Sequence, residues 1–154
     1  MGATLNGSLS AMPQPTQKHT DYSGTTLPRK LGILSASIEP RTVALLAAPE
    51  DFTQTLGELP AHVHLSTRLS AKTSLALCFV RSLADLEATV DLLGTQLAEG
   101  ASAWIIHPKA VHKPGFNQNH VRDTALARGL VDYKVCSVND DWSGLKFAWR
   151  TKKP

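Results

Sequence analysis

Val43-Ala44-Leu45-Leu46-Ala47-Ala48-Pro49-Glu50-Asp51-Phe52 is the stretch that decides how this chain folds. Four apolar residues in a row read as a strand covered on both faces. Ala47-Ala48-Pro49 breaks the run. Phe52, Leu56 and Leu59 then fall on one face of a helix expected from about Glu50 to Leu59. Strand, tight turn and helix together open an α/β unit. Units of this kind that bind nucleotides carry a glycine-rich loop in the turn. The turn must be tight, the backbone must approach phosphate closely, and free N–H groups must point at the ligand. Here two alanines add Cβ atoms and Pro49 removes a donor. The scaffold is legible, its usual cofactor fingerprint is absent, and no cofactor is expected.

Outward from this stretch the alternation continues. The first strand is expected over about Thr42–Ala47 and a second over about His62–Thr67. Leu75-Ala76-Leu77-Cys78-Phe79-Val80 forms a third, apolar on both faces. The clearest helix follows. Ser82 can cap it with Asp85 three residues on; Leu83, Leu86, Val90, Leu93 and Leu97 form its stripe, and Gly100 can close its end. Ser102-Ala103-Trp104-Ile105-Ile106 is a fourth strand, stopped by Pro108. A further helix starts near Asn117 or Asn119 and ends at Gly129. A fifth strand covers about Asp132–Val138, and the turn Asn139–Gly144 leads into a sixth over about Leu145–Thr151. Leu27–Ile33 reads as a short helix or turn that packs on this body.

Strands joined by helical crossovers are parallel and right-handed. Strands one, three, four and five should therefore run the same way, with strand six antiparallel to its partner. Only Arg68–Ser74 joins strands two and three, too short a segment for a helical crossover. Either strand two is very short or it runs antiparallel, and the first is the reading adopted. The fold class is a small Rossmann-like three-layer α/β sandwich over residues 27–152, mostly parallel with a C-terminal antiparallel hairpin strand.

The chain has 154 residues, 42% of them hydrophobic, which suits one core. Residues 1–26 are rich in Gly, Ser, Thr, Asn, Pro and Gln and read as a disordered tail. The N-terminus has neither a basic n-region nor an apolar h-region, and Asn6 stands where a myristoylation signal wants Ser or Thr. No run of 18 apolar residues is present, so no membrane span is expected. The formal net charge is +3, but the basicity lies at the ends. Lys18, Arg29 and Lys30 face only Asp21 before residue 31, and Arg150, Lys152 and Lys153 close the chain. The body between is net acidic, which argues against nucleic-acid binding. Cys78 and Cys136 lie in apolar strand patterns, as buried reduced thiols would, and a cytoplasmic setting is expected.

In an open parallel sheet ligands sit beyond the carboxyl ends of the strands, at the switch in strand order. This chain puts Glu50 and Asp51 there after strand one, Arg81 and Ser82 after strand three, and His107-Pro108-Lys109 after strand four. The turn Asp140-Asp141-Trp142-Ser143 falls on the same edge. Glu50, Arg81, Lys109 and Trp142 are the candidate ligand rim, mixed charge beside an aromatic plate. Each also has a plain structural use. Glu50 suits a helix N-terminus, Arg81 can be a solvated charge or Glu50's partner, Lys109 can simply follow a strand end, and Trp142 can plug a hairpin. His107, His112 and His120 crowd one loop, but their spacing matches no metal motif. Ser82 and Ser143 lie in no nucleophile elbow, so no catalytic residue is assigned.

The order of elements from about Arg41 to Lys152 resembles the class I methyltransferase fold. That resemblance implies a last strand inserted beside strand four, with S-adenosylmethionine over a glycine-rich first turn and an acidic residue ending strand two. Here the turn is Ala47-Ala48-Pro49-Glu50 and strand two ends at Thr67-Arg68. Six segments are closer to another group: Tyr22-Ser23-Gly24-Thr25, Lys30-Leu31-Gly32-Ile33, Ala48-Pro49-Glu50-Asp51-Phe52, Phe79-Val80-Arg81-Ser82, His107-Pro108-Lys109 and Trp142-Ser143-Gly144-Leu145-Lys146-Phe147. As a set they resemble a bacterial family of short proteins filed as a domain of unknown function. The functional expectation is a non-catalytic module that binds a small ligand or a protein partner. The alternatives are an S-adenosylmethionine- or nucleotide-using enzyme with a degenerate turn, or a structural partner docking through the tail or a sheet edge.

Overall fold

The computed structural model describes residues 26–150. All but Thr26 of the expected tail lies outside the described residues. The elements are α1 (Leu27–Lys30), β1 (Arg41–Leu46), α2 (Phe52–Leu56), β2 (Val63–Ser66), β3 (Thr73–Phe79), α3 (Leu83–Gln96), β4 (Ser102–Pro108), α4 (Gln118–Leu126), β5 (Leu130–Ser137) and β6 (Trp142–Trp149). They form one six-stranded sheet in the order β2-β1-β3-β4-β6-β5. β1 pairs parallel with β2 and β3, and β3 pairs parallel with β4. β6 is antiparallel to both β4 and β5, so β5 runs with β4. This is the mostly parallel Rossmann-like sheet that the crossover argument gives, and the strand order reverses between β1 and β3.

Alternation along the central strands splits the core into two layers. Ala44, Ala76, Cys78, Ala103, Ile105, Leu145 and Phe147 face α3 and α4, where Leu86, Val90, Leu93, Val121 and Ala125 meet them. Val43, Leu45, Leu75, Leu77, Phe79, Trp104 and Ile106 face the other way, against Leu31, Ile33, Phe52 and Leu56. The N-terminal segment is part of this second layer. Leu31 and Ile33 are fully buried, and the Trp104 indole donates to the Leu31 carbonyl at 2.7 Å. Arg41 ties the same segment down by donating to the carbonyls of Gly32 and Ile33 at 2.8 and 2.9 Å.

The awkward link between strands two and three resolves through register. β2 is four residues long and ends with Ser66 opposite Ala44, while Thr73 opens β3 opposite Thr42. The connection therefore drops back two residues, about 7 Å, and crosses β1 over two strand spacings, about 10 Å. Six residues reach about 20 Å, so no helix is needed. Leu69 buries in the α3/α4-side layer with Ala44. The turn is held by the Ser70 amide donating to Thr73 Oγ1 at 2.9 Å and the Thr73 amide donating to the Ser70 carbonyl at 3.1 Å.

Several boundaries differ from the sequence reading. α2 is only five residues, because Gly57, at φ +81°, turns the chain away before Leu59. α3 ends at Gln96 with Leu97 already extended. Gly100, at φ +88°, turns the chain into β4 rather than capping the helix. The β5–β6 turn is tighter than expected, and Trp142 is the first residue of β6 rather than part of the turn. Among the described residues no helix is long and apolar enough to cross a membrane.

Candidate functional site

The turn after β1 contains a left-handed residue that is not a glycine. Ala47 sits at φ +58°, the left-handed region, and is the one described non-glycine residue with positive φ. For a residue with a Cβ this region costs about 1–2 kcal/mol. Pro49 follows, and Asp51 takes the N-cap position of α2 with no side-chain cap bond. At the end of β2 stands Ser66, whose Oγ accepts from the Arg68 amide at 3.1 Å.

Glu50, Arg81, Lys109 and Trp142 all fall at the carboxyl edge of the parallel strands, but on its two faces. Arg81 and Trp142 meet. The Arg81 guanidinium lies 5.3 Å from the Trp142 ring centroid, and Trp142 packs edge-on against Phe79, which packs edge-on against Phe52, at 5.2 and 4.8 Å between centroids. This aromatic stack fills the α1/α2 side of the crevice. The Arg81 backbone is held from two directions. Its amide donates to Asp85 Oδ2 at 2.9 Å, and its carbonyl accepts from Lys113 Nζ at 2.7 Å. Asp85 in turn donates its amide to Ser82 Oγ, so the expected Ser82–Asp85 cap forms and reaches one residue further back. Glu50 is exposed. The ion pairs among the described residues are His112–Asp141, Arg122–Asp132 and Arg128–Asp91, so Glu50 and Arg81 are not each other's partners.

Lys109 belongs to the opposite face. Its amide donates to the Asp141 carbonyl at 2.9 Å, stapling the β4 loop to the β5–β6 turn, but its Nζ donates to Ser137 Oγ at 2.7 Å. Ser137 pairs with Ser143 and Ser143 with His107. Cross-strand partners share a face, and His107 lies two residues beyond Ile105, on the α3/α4 side. Here the structure assembles a cleft of about 250 Å³ lined by His107, Lys109, Ala110, Asn117, Gln118 and Ser143.

The three loop histidines have separate duties. His112 Nε2 pairs with Asp141 at 3.0 Å. His120 Nδ1 accepts from the Asn117 amide while Asn117 Oδ1 accepts from the amides of Asn119 and His120, a capping box that starts α4. His107 is 4% exposed, with its ring 6.2 Å from Phe116. Burial holds its imidazole below the usual pKa, opposed by a hydrogen bond to the Pro108 carbonyl. No described group of three or more His, Cys, Asp or Glu residues is placed to hold a metal. Both cysteines are buried, and burial pushes the Cys78 thiol up to about 12.

Sequence reasoning placed His107 at the edge but assigned it no binding role. The signal was available: Ala103, Ile105 and His107 alternate onto one face, beneath the helix that Asn117 starts. Ser143 could be found only through its register opposite His107.

Solved structures share the fold. A protein assigned as a type 11 methyltransferase from Sulfolobus solfataricus superposes with a TM-score of 0.51 at 12% identity, covering 83% of this chain and 92% of that one. A TehB-like SAM-dependent methyltransferase from Corynebacterium glutamicum gives 0.48 at 7% identity over 80% and 86% of the chains. The N-methyltransferase NodS from Bradyrhizobium japonicum gives 0.44 at 14% identity over 81% and 93%. At 12% identity the likeness to the Sulfolobus protein is one of fold alone, a Rossmann-like α/β sheet. Residues 77–151 match the model of a family described as "Protein of unknown function (DUF3052)". The match spans Phe79–Ser82, His107–Lys109 and Trp142–Phe147, three of the six segments that carry the sequence resemblance. No curated protein matches the chain.

Proposed function

We propose that this chain is a non-catalytic binding module on a class I methyltransferase scaffold, with its ligand at the Arg81–Trp142 side of the carboxyl edge; of the expected rim of Glu50, Arg81, Lys109 and Trp142, Lys109 stands on the other face. The observation that carries this reading is the first turn. Ala47 adopts the left-handed conformation with a Cβ in place, and Pro49 has no N–H to offer. A turn built this way presents fewer donors to a phosphate or a carboxylate than a glycine loop does. The Arg81–Trp142 pair supplies the alternative recognition surface, an exposed guanidinium fixed over an aromatic plate, suited to a small polar ligand or to a partner's acidic segment. Residues 27–152 then act as one domain, and residues 1–26 are a tail outside it.

Calorimetry with S-adenosylmethionine, NAD and ATP is the test. Binding no tighter than millimolar is expected for all three. A thermal-shift screen of metabolites should instead find a ligand whose stabilisation is lost in Arg81→Ala and Trp142→Ala, since a ligand at a hundred times its Kd adds about 2.7 kcal/mol. Micromolar affinity for S-adenosylmethionine would overturn the proposal in favour of a methyltransferase with an unusual turn.

A further inference from the structure

His107 lines the cleft at the α3/α4 side of the carboxyl edge, and its ring carries a buried nitrogen that no described group matches. His107 Nδ1 lies 2.9 Å from the Pro108 carbonyl oxygen. A carbonyl only accepts, so Nδ1 carries the hydrogen and, in the neutral ring, Nε2 carries a lone pair. Nε2 is buried and has no hydrogen-bond partner among the described residues. Leaving a buried acceptor unmatched is unfavourable, and such atoms are scarce in folded proteins. A leucine of similar size would fill the same place beside Ile105 without that penalty. The imidazole therefore calls for a partner beyond the described residues, and that partner must donate.

The surroundings define the rest of it. The cleft is walled by Lys109, Asn117, Gln118 and Ser143. Lys109 Nζ is anchored on Ser137 Oγ, which keeps its positive charge at the cleft. Asn117 caps α4 through the amides of Asn119 and His120, leaving the Gln118 amide at the positive end of the helix. No acidic side chain lines the cleft. Its volume of about 250 Å³ is roughly eight liquid-water volumes and lies below the ordinary range for drug-sized ligands, so a nucleotide does not fit within it.

We infer that this cleft binds a small anion carrying a hydroxyl or amine, the donor bonding to His107 Nε2 and the carboxylate or phosphate facing Lys109 and the start of α4. The site is separate from the Arg81–Trp142 plate, on the other side of the sheet, and does not depend on it. Its anion can be a carboxylate or a phosphate, and the two are separated by the probes.

Long-range proton–nitrogen NMR of the full-length, nitrogen-15-labelled protein reads the imidazole directly. In the free protein His107 Nε2 should resonate as an unprotonated nitrogen and Nδ1 as a protonated one. Glycolate (a hydroxy carboxylate) or glycerol 3-phosphate (a hydroxy phosphate) should shift the Nε2 signal saturably, and whichever does so names the anion. Acetate, which lacks the donor, and ethylene glycol, which lacks the charge, should leave it in place. Lys109→Ala should weaken binding about tenfold or more, as loss of a charge-assisted contact does. A protonated Nε2 in the free protein would overturn the inference. So would an Nε2 signal unmoved by both anions well above millimolar concentration. Because the readout is His107 itself, either result leaves the rim proposal to stand or fall on its own test.

Discussion

The two faces of the sheet's carboxyl edge treat the same opportunity in opposite ways. On the α1/α2 side, Phe52, Phe79 and Trp142 close the crevice with edge-to-face rings, and Arg81 lies over the outermost. On the α3/α4 side, a buried histidine keeps an unmatched nitrogen beside an open cleft. The first face is organised for packing and exposes polarity only at its rim. The second gives up stability to hold a polar group dry. Apolar filling and an unmatched acceptor thus lie one residue apart in register along the paired ends of β3 and β4.

The comparison is broken most severely at Phe79. It is 2% exposed and joins the other two rings, so Phe79→Ala should cost about 3–5 kcal/mol in urea denaturation. A loss under about 1 kcal/mol, in the range of ordinary surface changes, would mean the stack is not a packing element.

The histidine face should show itself through pH. An imidazole held below its ordinary value of 6.5 in the folded state is protonated more readily in the unfolded chain. Stability is therefore complete above that value and declines as the pH falls through it. Denaturation at neutral and mildly acidic pH should show this decline in the wild type and a flatter response in His107→Leu, which should also be no less stable at neutral pH than the wild type by more than about 1 kcal/mol. An equal pH response in both proteins would remove His107 as its source.

A smaller effect sharpens the reading of the first turn. Ala47→Gly relieves the left-handed strain but makes the unfolded chain more flexible, by about 0.5–1 kcal/mol. A net stabilisation of less than about 1 kcal/mol is expected. Marked destabilisation would show that the Ala47 methyl packs rather than strains. The smallest change is expected from the tail: deleting residues 1–20 should leave the melting temperature nearly unchanged, and a drop of many degrees would show that the tail packs on the body.

Most of the architecture was legible because it follows from local rules. Continuous apolar runs at Val43–Leu46 and Leu75–Val80 mark strands covered on both faces. Helical connections impose parallel pairing, and the short turn expected over Asn139–Gly144 imposes the antiparallel β6. The glycine-free turn was visible residue by residue. The rim was legible only as an edge. Strand direction puts Arg81, Lys109 and Trp142 at the same height, but which face each side chain takes depends on alternation from a strand end that sequence locates only to within a residue or two, and one residue reverses the face.

By itself the sequence determined the class of sheet, the order of its elements, the absence of glycine from the first turn and which residues follow the strand ends, since each depends on near-neighbour spacing. Tertiary structure alone decided three other things. A six-residue link suffices between β2 and β3 because the pairing register leaves little height to recover. Lys109 parts from Arg81 and Trp142 because the pairing across β4, β6 and β5 sets His107, Ser143 and Ser137 on one face. His107 becomes a group that needs a partner only when α4 and Phe116 close over it, because an acceptor exposed to water is satisfied by the solvent and a buried one is not.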